Sequence, residues 1–486
     1  MNAHTSPILI WFRQDLRLGD HPALHEAHQT QRPIIPVYIW SEGEEQPWSR
    51  GGASRWWLWK SLQSLDKDLR RIGSRLILRQ GRALPELEKL IRETDADTVY
   101  WNRRYEPHLV QRDTALKDHL AQAGITAKSF NGSLLVEPTG LKNKSGNPYQ
   151  VFTPFYRAFS QAIHPPAPLP GPQSLTAPGR WPESIAVSDL PLQPSPDWAA
   201  GLEERFTPGE SSAVDQLCRF VEEDAADYLD RRDLPGESGT SRLSPHLHFG
   251  ELSPRLAWQT IQDQLDMEPG HSSGGEGFAR QLVWREFAHH ILFHFPHTPE
   301  LPLRPEYADF PWQRNPVYLK AWQQGQTGYP IVDAGMRELW VTGWMHNRVR
   351  MVVASFLVKH LLQPWQDGAA WFWDTLVDAD LANNTMGWQW AAGCGADAAP
   401  YFRIFNPMPQ GKKFDKAGTY VRRWVPELAG LPDTVLHEPW LASEQTLQQA
   451  HVVLGQTYPA PIVDHHEARQ GALQALADMK EIKELT

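Results

Sequence analysis

Residues 7–40 read PILIWFRQDLRLGDHPALHEAHQTQRPIIPVYIW, two short apolar runs separated by a longer amphipathic stretch. Each apolar run is too short to be a helix of its own and is rich in β-branched and aromatic residues, as a buried strand requires. The alternation recurs outward from there: RLILRQG (75–81), DTVYWN (97–102) and ITAKSF (125–130) are strand-like, with helical stretches such as Ser54–Ile72 between them. Strand and helix in regular alternation predict an α/β domain over residues 1–135 with a parallel five-stranded sheet. The glycine-rich dinucleotide fingerprint is absent after the first strand, where Gln14-Asp15-Leu16-Arg17 stands instead, so NAD or FAD held by that fingerprint is not expected here.

At 486 residues the chain exceeds what one core normally serves, so at least two domains are expected. From His164 to about Gly209 the sequence is proline-rich (HPPAPLPGP, PLQPSP), and residues 136–209 are read as an interdomain connection. Beyond it, helix-start signals recur as Ser244-Pro245 and Ser253-Pro254, where serine caps and proline fills the first turn, so residues 210–486 should form a mainly α-helical domain. No apolar run approaches the roughly 20 residues of a membrane helix. Two distant cysteines, Cys218 and Cys394, and an opening MNAHTSPILIWF without a signal-peptide pattern lead us to expect a reducing, cytoplasmic setting. A net charge of −10 argues against a uniformly basic nucleic-acid binder, although a local patch of Lys and Arg suffices to hold phosphates.

Chemistry concentrates after residue 239. Gly239-Thr240-Ser241-Arg242-Leu243-Ser244-Pro245 offers backbone amides, hydroxyls and a guanidinium ahead of a helix start, which suits a phosphate; an ordinary capping segment is the plainer alternative. In WMHNRVRM (344–351), Asn347 and Arg350 lie three apart on one helix face and can address one ligand while Arg348 points elsewhere. Arg350 with Asp378 would make a charge-assisted pair, and amides such as Asn384 serve a heterocycle that both donates and accepts protons. Trp365, Trp371, Trp373, Trp388 and Trp390 crowd the same region, either as an aromatic core or as rings placed for electronic reasons.

These residues resemble the DNA photolyase and cryptochrome flavoproteins, and are most similar to class I photolyases that repair cyclobutane pyrimidine dimers. The likeness runs through WFRQDLRLGDHPAL, GTSRLSP, LVWREF, GYPIVDAGMRELWVTGWMHNRVRM, DADLANN, GWQWAAGCGADAAPYFRIFNP, HEPW and EAR. It implies a Rossmann-like antenna domain, an all-α domain binding FAD, and light-driven repair of UV-damaged DNA by a monomer using reduced FAD. By matching position, the resemblance implies FAD contacts at Tyr228, Thr240, Ser241, Arg242, Leu243 and Ser244 around the phosphates, and at Asn347, Arg350, Asp378, Asp380 and Asn384 around the ring and ribityl chain, with Asn384 near flavin N5. Trp388, Trp365 and Trp312 match an electron-relay chain. Trp284, Asn347, Met351 and Trp390 match the walls of a lesion pocket, and Arg232, Arg285, Arg348, Arg403 and Lys413 match candidate DNA phosphate contacts.

Two departures stand out. Where dimer-repairing relatives carry a glutamate three residues before Trp284, this chain has Gln281, which hydrogen-bonds but carries neither charge nor titratable proton. Enzymes repairing the (6-4) photoproduct more often carry glutamine there, yet the Asn347 and Met351 pattern favours cyclobutane dimers. Folate-binding relatives have an Asn-Glu pair where Tyr105-Glu106-Pro107-His108-Leu109 stands here, so a second, antenna chromophore is left open as a deazaflavin, another pigment or none. His289, His290, His294 and His297 invite a metal reading, but no H-E-x-x-H pattern accompanies them and none is expected. A (6-4) photolyase and a cryptochrome-like photoreceptor are the alternatives; the short sequence after EARQGALQAL favours the enzyme.

Overall fold

The computed structural model describes residues 6–267, 272–397 and 402–485; residues 398–401 of the GWQWAAGCGADAAPYFRIFNP element lie outside them. The five strand-like runs form β1 (Ile8–Phe12), β2 (Ile34–Trp40), β3 (Ile77–Gln80), β4 (Thr98–Asn102) and β5 (Thr126–Phe130), all parallel, in the order β3-β2-β1-β4-β5. β1, β2 and β4 are buried along their whole length, which is why they read as continuous apolar runs rather than alternating ones. Pro36 lies inside β2 at little cost, because the β2–β3 ladder starts one residue later, at Val37 opposite Ile77. Gly52–Arg71, read from sequence as Ser54–Ile72, packs Trp56, Trp57, Leu58, Leu62 and Leu65 into the core.

The remainder is helical, joined to the sheet through residues 136–209, where the Phe152–Ala162 and Ala200–Arg205 helices flank a proline-rich run with only short turns. Of the two Ser-Pro signals, Ser253 behaves as expected, its Oγ accepting from the backbone N–H of Arg255 and Leu256 at 3.1 and 3.3 Å. Ser244 does not: it is the first residue of the Ser244–Phe249 helix, whose N-cap is Leu243 with no side-chain bond.

A buried arginine bolts the two parts together. Arg17, just after β1, donates to the carbonyls of Gly19, Asp20, Gly132 and Gly250, the last at 2.8 Å in the helical part. Gly250 closes the Ser244–Phe249 helix at φ +65°, and a Cβ there would stand 2.2 Å from the Gln14 carbonyl, so only glycine permits this approach. The sheet's carboxyl edge is thereby pressed against the segment that carries GTSRLSP.

Candidate active site

The Asn347–Ser355 helix starts at His346, whose Nδ1 accepts from the Arg348 N–H at 3.2 Å. Burial pushes that imidazole down to about 4, keeping it the neutral acceptor that the cap needs. One turn in, Arg350 donates Nε to the Met345 carbonyl at 2.8 Å and Nη2 to Asp378 Oδ2 at 2.9 Å, the pair expected from sequence. Arg348, displaced around the helix, pairs with Asp233 at 2.7 Å instead. Asp378 is buried, and its Oδ1 has no hydrogen-bond partner, an acceptor that a ligand N–H or hydroxyl would satisfy.

Asp380 builds the second wall. Its Oδ1 accepts from Asn383 N at 2.9 Å and Asn383 Nδ2 at 2.7 Å, capping the Leu381–Ala392 helix that carries Asn384, Trp388 and Trp390. Burial alone would raise this carboxyl; His289, then His248 and Arg285, hold it well below the usual carboxylate range. Asn384 is half-buried, its amide donating to the Ala369 carbonyl at 3.0 Å. Trp388 lies one turn further on the same face and is 2 % exposed. Its ring seats against Gly368, one turn from Trp365 on the neighbouring helix, and both indoles belong to one buried cluster. Trp312 is half-buried at the edge of that cluster, and its segment is tied to the one preceding Trp365 by Gln313 N to Leu362 O at 2.7 Å. Exposure therefore falls from Trp312 to Trp365 and Trp388.

The Thr240–Ser244 turn fits an anion. Arg242 adopts φ +52°, a left-handed conformation that a non-glycine residue takes only when its surroundings impose it. Its guanidinium lies over the Trp344 ring, and burial together with the neighbouring Arg205 depresses it to about 10, with Glu338 opposing and Arg423 adding to the effect. A site this rich in positive charge suits the pyrophosphate of a dinucleotide. Leu243 is buried, Tyr228 is buried under Arg232, Thr240 and Ser241 are half-buried, and Ser244 is exposed. With the orphaned Asp378 oxygen, the residues present fit FAD.

Of the lesion-wall candidates, Trp284 stacks on Phe152 at 3.5 Å and 7°, Trp390 leans on Phe405 at 6.2 Å, Met351 is half-buried and Asn347 is exposed. Gln281 turns its amide back to the Gly277 carbonyl at 3.3 Å. Among the proposed phosphate contacts, Arg403 and Lys413 are exposed and Arg232 is half-buried. Arg285 departs from the expectation: its side chain is 12 % exposed and donates to the Ser133 carbonyl at 2.7 Å, so it braces the domain junction rather than facing a DNA strand.

Open α/β sheets take ligands where strand order reverses at their carboxyl ends. Here that crevice is filled by this chain's own ions: Arg104 with Glu106 and Glu45, Arg50 with Glu45 and Arg13 with Asp113. The free spaces between them and Asp380 measure about 20 and 10 Å³, room for a water.

Sequence reasoning missed His248, the placing of His248 and His289 each 3.6 Å from Asp380 Oδ2, and the arginines that crowd Arg242. Nothing in local pattern links positions 248, 289 and 380. The other histidines of that run are spent on structure, His290 and His294 both bonding to the Pro138 carbonyl, and no group of three metal-ligating side chains occurs among the described residues. No helix among them is long and apolar enough to cross a membrane.

Two family models match, described as "DNA photolyase" over residues 8–173 and "FAD binding domain of DNA photolyase" over residues 278–478. The chain is 50% identical over 481 residues to a deoxyribodipyrimidine photo-lyase of Agrobacterium fabrum, covering 99% of each, and 40% identical to cryptochrome-1 of Arabidopsis thaliana, covering 98% of this chain and 71% of that one. A crystal structure of a bacterial class III photolyase from Agrobacterium tumefaciens superposes with a TM-score of 0.95 at 49% identity over 99% of both chains, where the sequence reading pointed to class I.

Proposed function

The chain belongs to the DNA photolyase family, and from that premise we propose that it is a carbon–carbon lyase repairing cyclobutane pyrimidine dimers in UV-damaged DNA. What carries the reading is the Arg350–Asp378 pair with its unpartnered Asp378 oxygen, beside the Asp380-capped helix that bears Asn384 and the buried Trp388, in a chain 50% identical to a photo-lyase from end to end. Reduced FAD supplies, when lit, the electron that opens the cyclobutane bonds and takes it back afterwards.

The chain's own residues bind, orient and feed that chemistry. Thr240, Ser241, Arg242, Leu243, Ser244 and Tyr228 hold the phosphates; Asn347, Arg350, Asp378, Asp380 and Asn384 hold the ring and ribityl chain. Asp378, locked by Arg350, presents its free Oδ1 as a fixed acceptor. Trp388, Trp365 and Trp312 break one long electron transfer into short hops from the surface. Gln281, Trp284, Asn347, Met351 and Trp390 receive the extruded pyrimidine pair, flat rings and a soft thioether suiting unstacked bases. Arg232, Arg348, Arg403 and Lys413 meet the phosphate backbone, Arg348 by exchanging Asp233 for it, which makes binding salt-dependent and largely sequence-independent. The enzyme acts as a cytoplasmic monomer, a setting in keeping with its two unpaired cysteines.

The test is to incubate reduced protein with an oligonucleotide bearing a defined dimer, with and without blue light, and assay restored thymines. No light-dependent restoration sinks the reading. Repair of a (6-4) substrate alone reassigns the lesion, an outcome that Gln281 makes worth including, and flavin photoreduction without any repair points to a cryptochrome-like receptor.

A further inference from the structure

We propose that His289 and His248 form a proton-closed clamp that positions Asp380 in the flavin site, anchored to the sheet domain by Gln14. The proposal rests on Asp380 being a flavin contact. Asp380 divides its two oxygens: Oδ1 caps the helix bearing Asn384 and Trp388, and Oδ2 lies 3.6 Å from both His248 Nδ1 and His289 Nε2. The two imidazoles come from different helices, His248 from Ser244–Phe249 and His289 from Ser272–His294, so they grip the carboxylate from two sides.

Each ring's orientation is set by its other nitrogen. His248 Nε2 lies 3.0 Å from Gln14 Nε2, whose amide donates, leaving the proton on Nδ1. That Nδ1 is buried with no hydrogen-bond partner of its own and faces Asp380. His289 is different. Its Nδ1 lies 3.0 Å from the Arg285 carbonyl and its Nε2 faces the carboxylate, so both nitrogens meet acceptors. Only the imidazolium satisfies both. A neutral His289 turns a lone pair toward Asp380 and loosens the clamp; the proton it takes up closes it.

Other charges face this pair. Arg285 and Glu106 act on His289 with opposite sign, and Arg50 and Arg104 oppose charge on His248. Burial outweighs Asp380 and lowers both histidines below their ordinary value, so closure belongs to the mildly acidic side of neutrality. His248 stays the neutral donor while His289 gains the proton, because Gln14 already occupies the second nitrogen of His248.

FAD retention on dilution of the holoenzyme, followed by the rise of free-flavin fluorescence, reads this directly at pH 8 and pH 5. A hydrogen bond gained by a charged group converts to about tenfold in affinity, so the parent should hold FAD up to about tenfold better at pH 5. His289→Gln, whose amide donates without titrating, should abolish the pH dependence while keeping far-ultraviolet circular dichroism unchanged. Gln14→Ala should weaken retention by a similar factor at both pH values, which a purely structural role for the histidines would not produce. An unchanged pH dependence in His289→Gln, or parent-like retention in Gln14→Ala, overturns the clamp. Parent-like retention in Asp380→Asn overturns instead the assignment of Asp380 as a flavin contact, so the two failures are distinct.

Discussion

Replacing Gly368 with alanine tests whether the Trp388 relay depends on close packing. A Cβ at Gly368 would stand 2.1 Å from Trp388 Cη2, 2.4 Å from Cζ3 and 2.7 Å from Leu357 Cδ2. The indole cannot yield cheaply, since Phe372 and Trp322 abut it edge-on at centroid distances of 5.0 and 6.1 Å. Relief needs a retreat of about 1 Å between the two helices, and overpacking of this kind costs about 1–3 kcal/mol. Unfolding at saturating FAD, followed by circular dichroism, should show that loss, and photoreduction of the oxidised flavin should slow as Trp388 moves. The double-mutant cycle with Trp388→Phe isolates the cause: the shorter ring lacks the atoms in collision, so the alanine should cost at least about 1 kcal/mol less in that background. Additivity to within about 0.5 kcal/mol would mean that the strain lies elsewhere and would refute the packing argument.

Trp388→Phe alone should suppress flavin photoreduction while chemically pre-reduced enzyme keeps most of its repair activity; equal photoreduction in mutant and parent removes Trp388 from the path. Gln281→Glu should raise dimer-repair yield, because a carboxylate cannot donate to the Gly277 carbonyl and must swing away from its own helix; an unchanged yield shows the amide to be an adequate substitute. Acidification should destabilise the fold: burial holds His290 and His346 near 4 and His360 near 3, so the unfolded chain takes up their protons first as pH falls below the ordinary 6.5. Each such group withdraws up to about 3 kcal/mol by pH 4, while Glu286, raised to about 7, and the raised carboxyls of Glu210, Asp333 and Glu338 oppose them; constant or rising stability between pH 6.5 and 5 would show that the carboxyls outweigh the imidazoles.

The sheet was legible because β1, β2 and β4 are buried on both faces, and burial on both faces writes itself as an unbroken apolar run. The Arg350–Asp378 pair was legible for a narrower reason: helical spacing separates Arg350 from Arg348, and the structure gives the two arginines different acidic partners. Arg285 shows where such reasoning stops. Its place after Trp284 says nothing of Ser133, a residue just after β5 that only tertiary packing brings within 2.7 Å. The clamp on Asp380 was invisible for the same reason, since both of its histidines lie more than 90 residues earlier in the chain. Ser244 failed more locally: the Ser-Pro signal is right about a helix start but cannot say which residue caps it, and the turn forced on Arg242 moves the cap to Leu243.

The helix caps and the flavin site are built from the same side chains, and this decides how substitutions there must be read. His346 caps the helix that presents Asn347 and Arg350, and Asp380 caps the helix that presents Asn384 and Trp388. Alanine at either position would remove a cap worth about 1 kcal/mol and a site residue at once, so lost activity would not identify which mattered. Asparagine at position 380 separates them. Its side-chain oxygen still accepts from the Asn383 N–H and keeps the helix start, but it brings no charge for His248 and His289 to meet. If FAD binding falls while the helix content holds, the charge on Asp380 serves the cofactor site; if both fall together, its first duty is the fold.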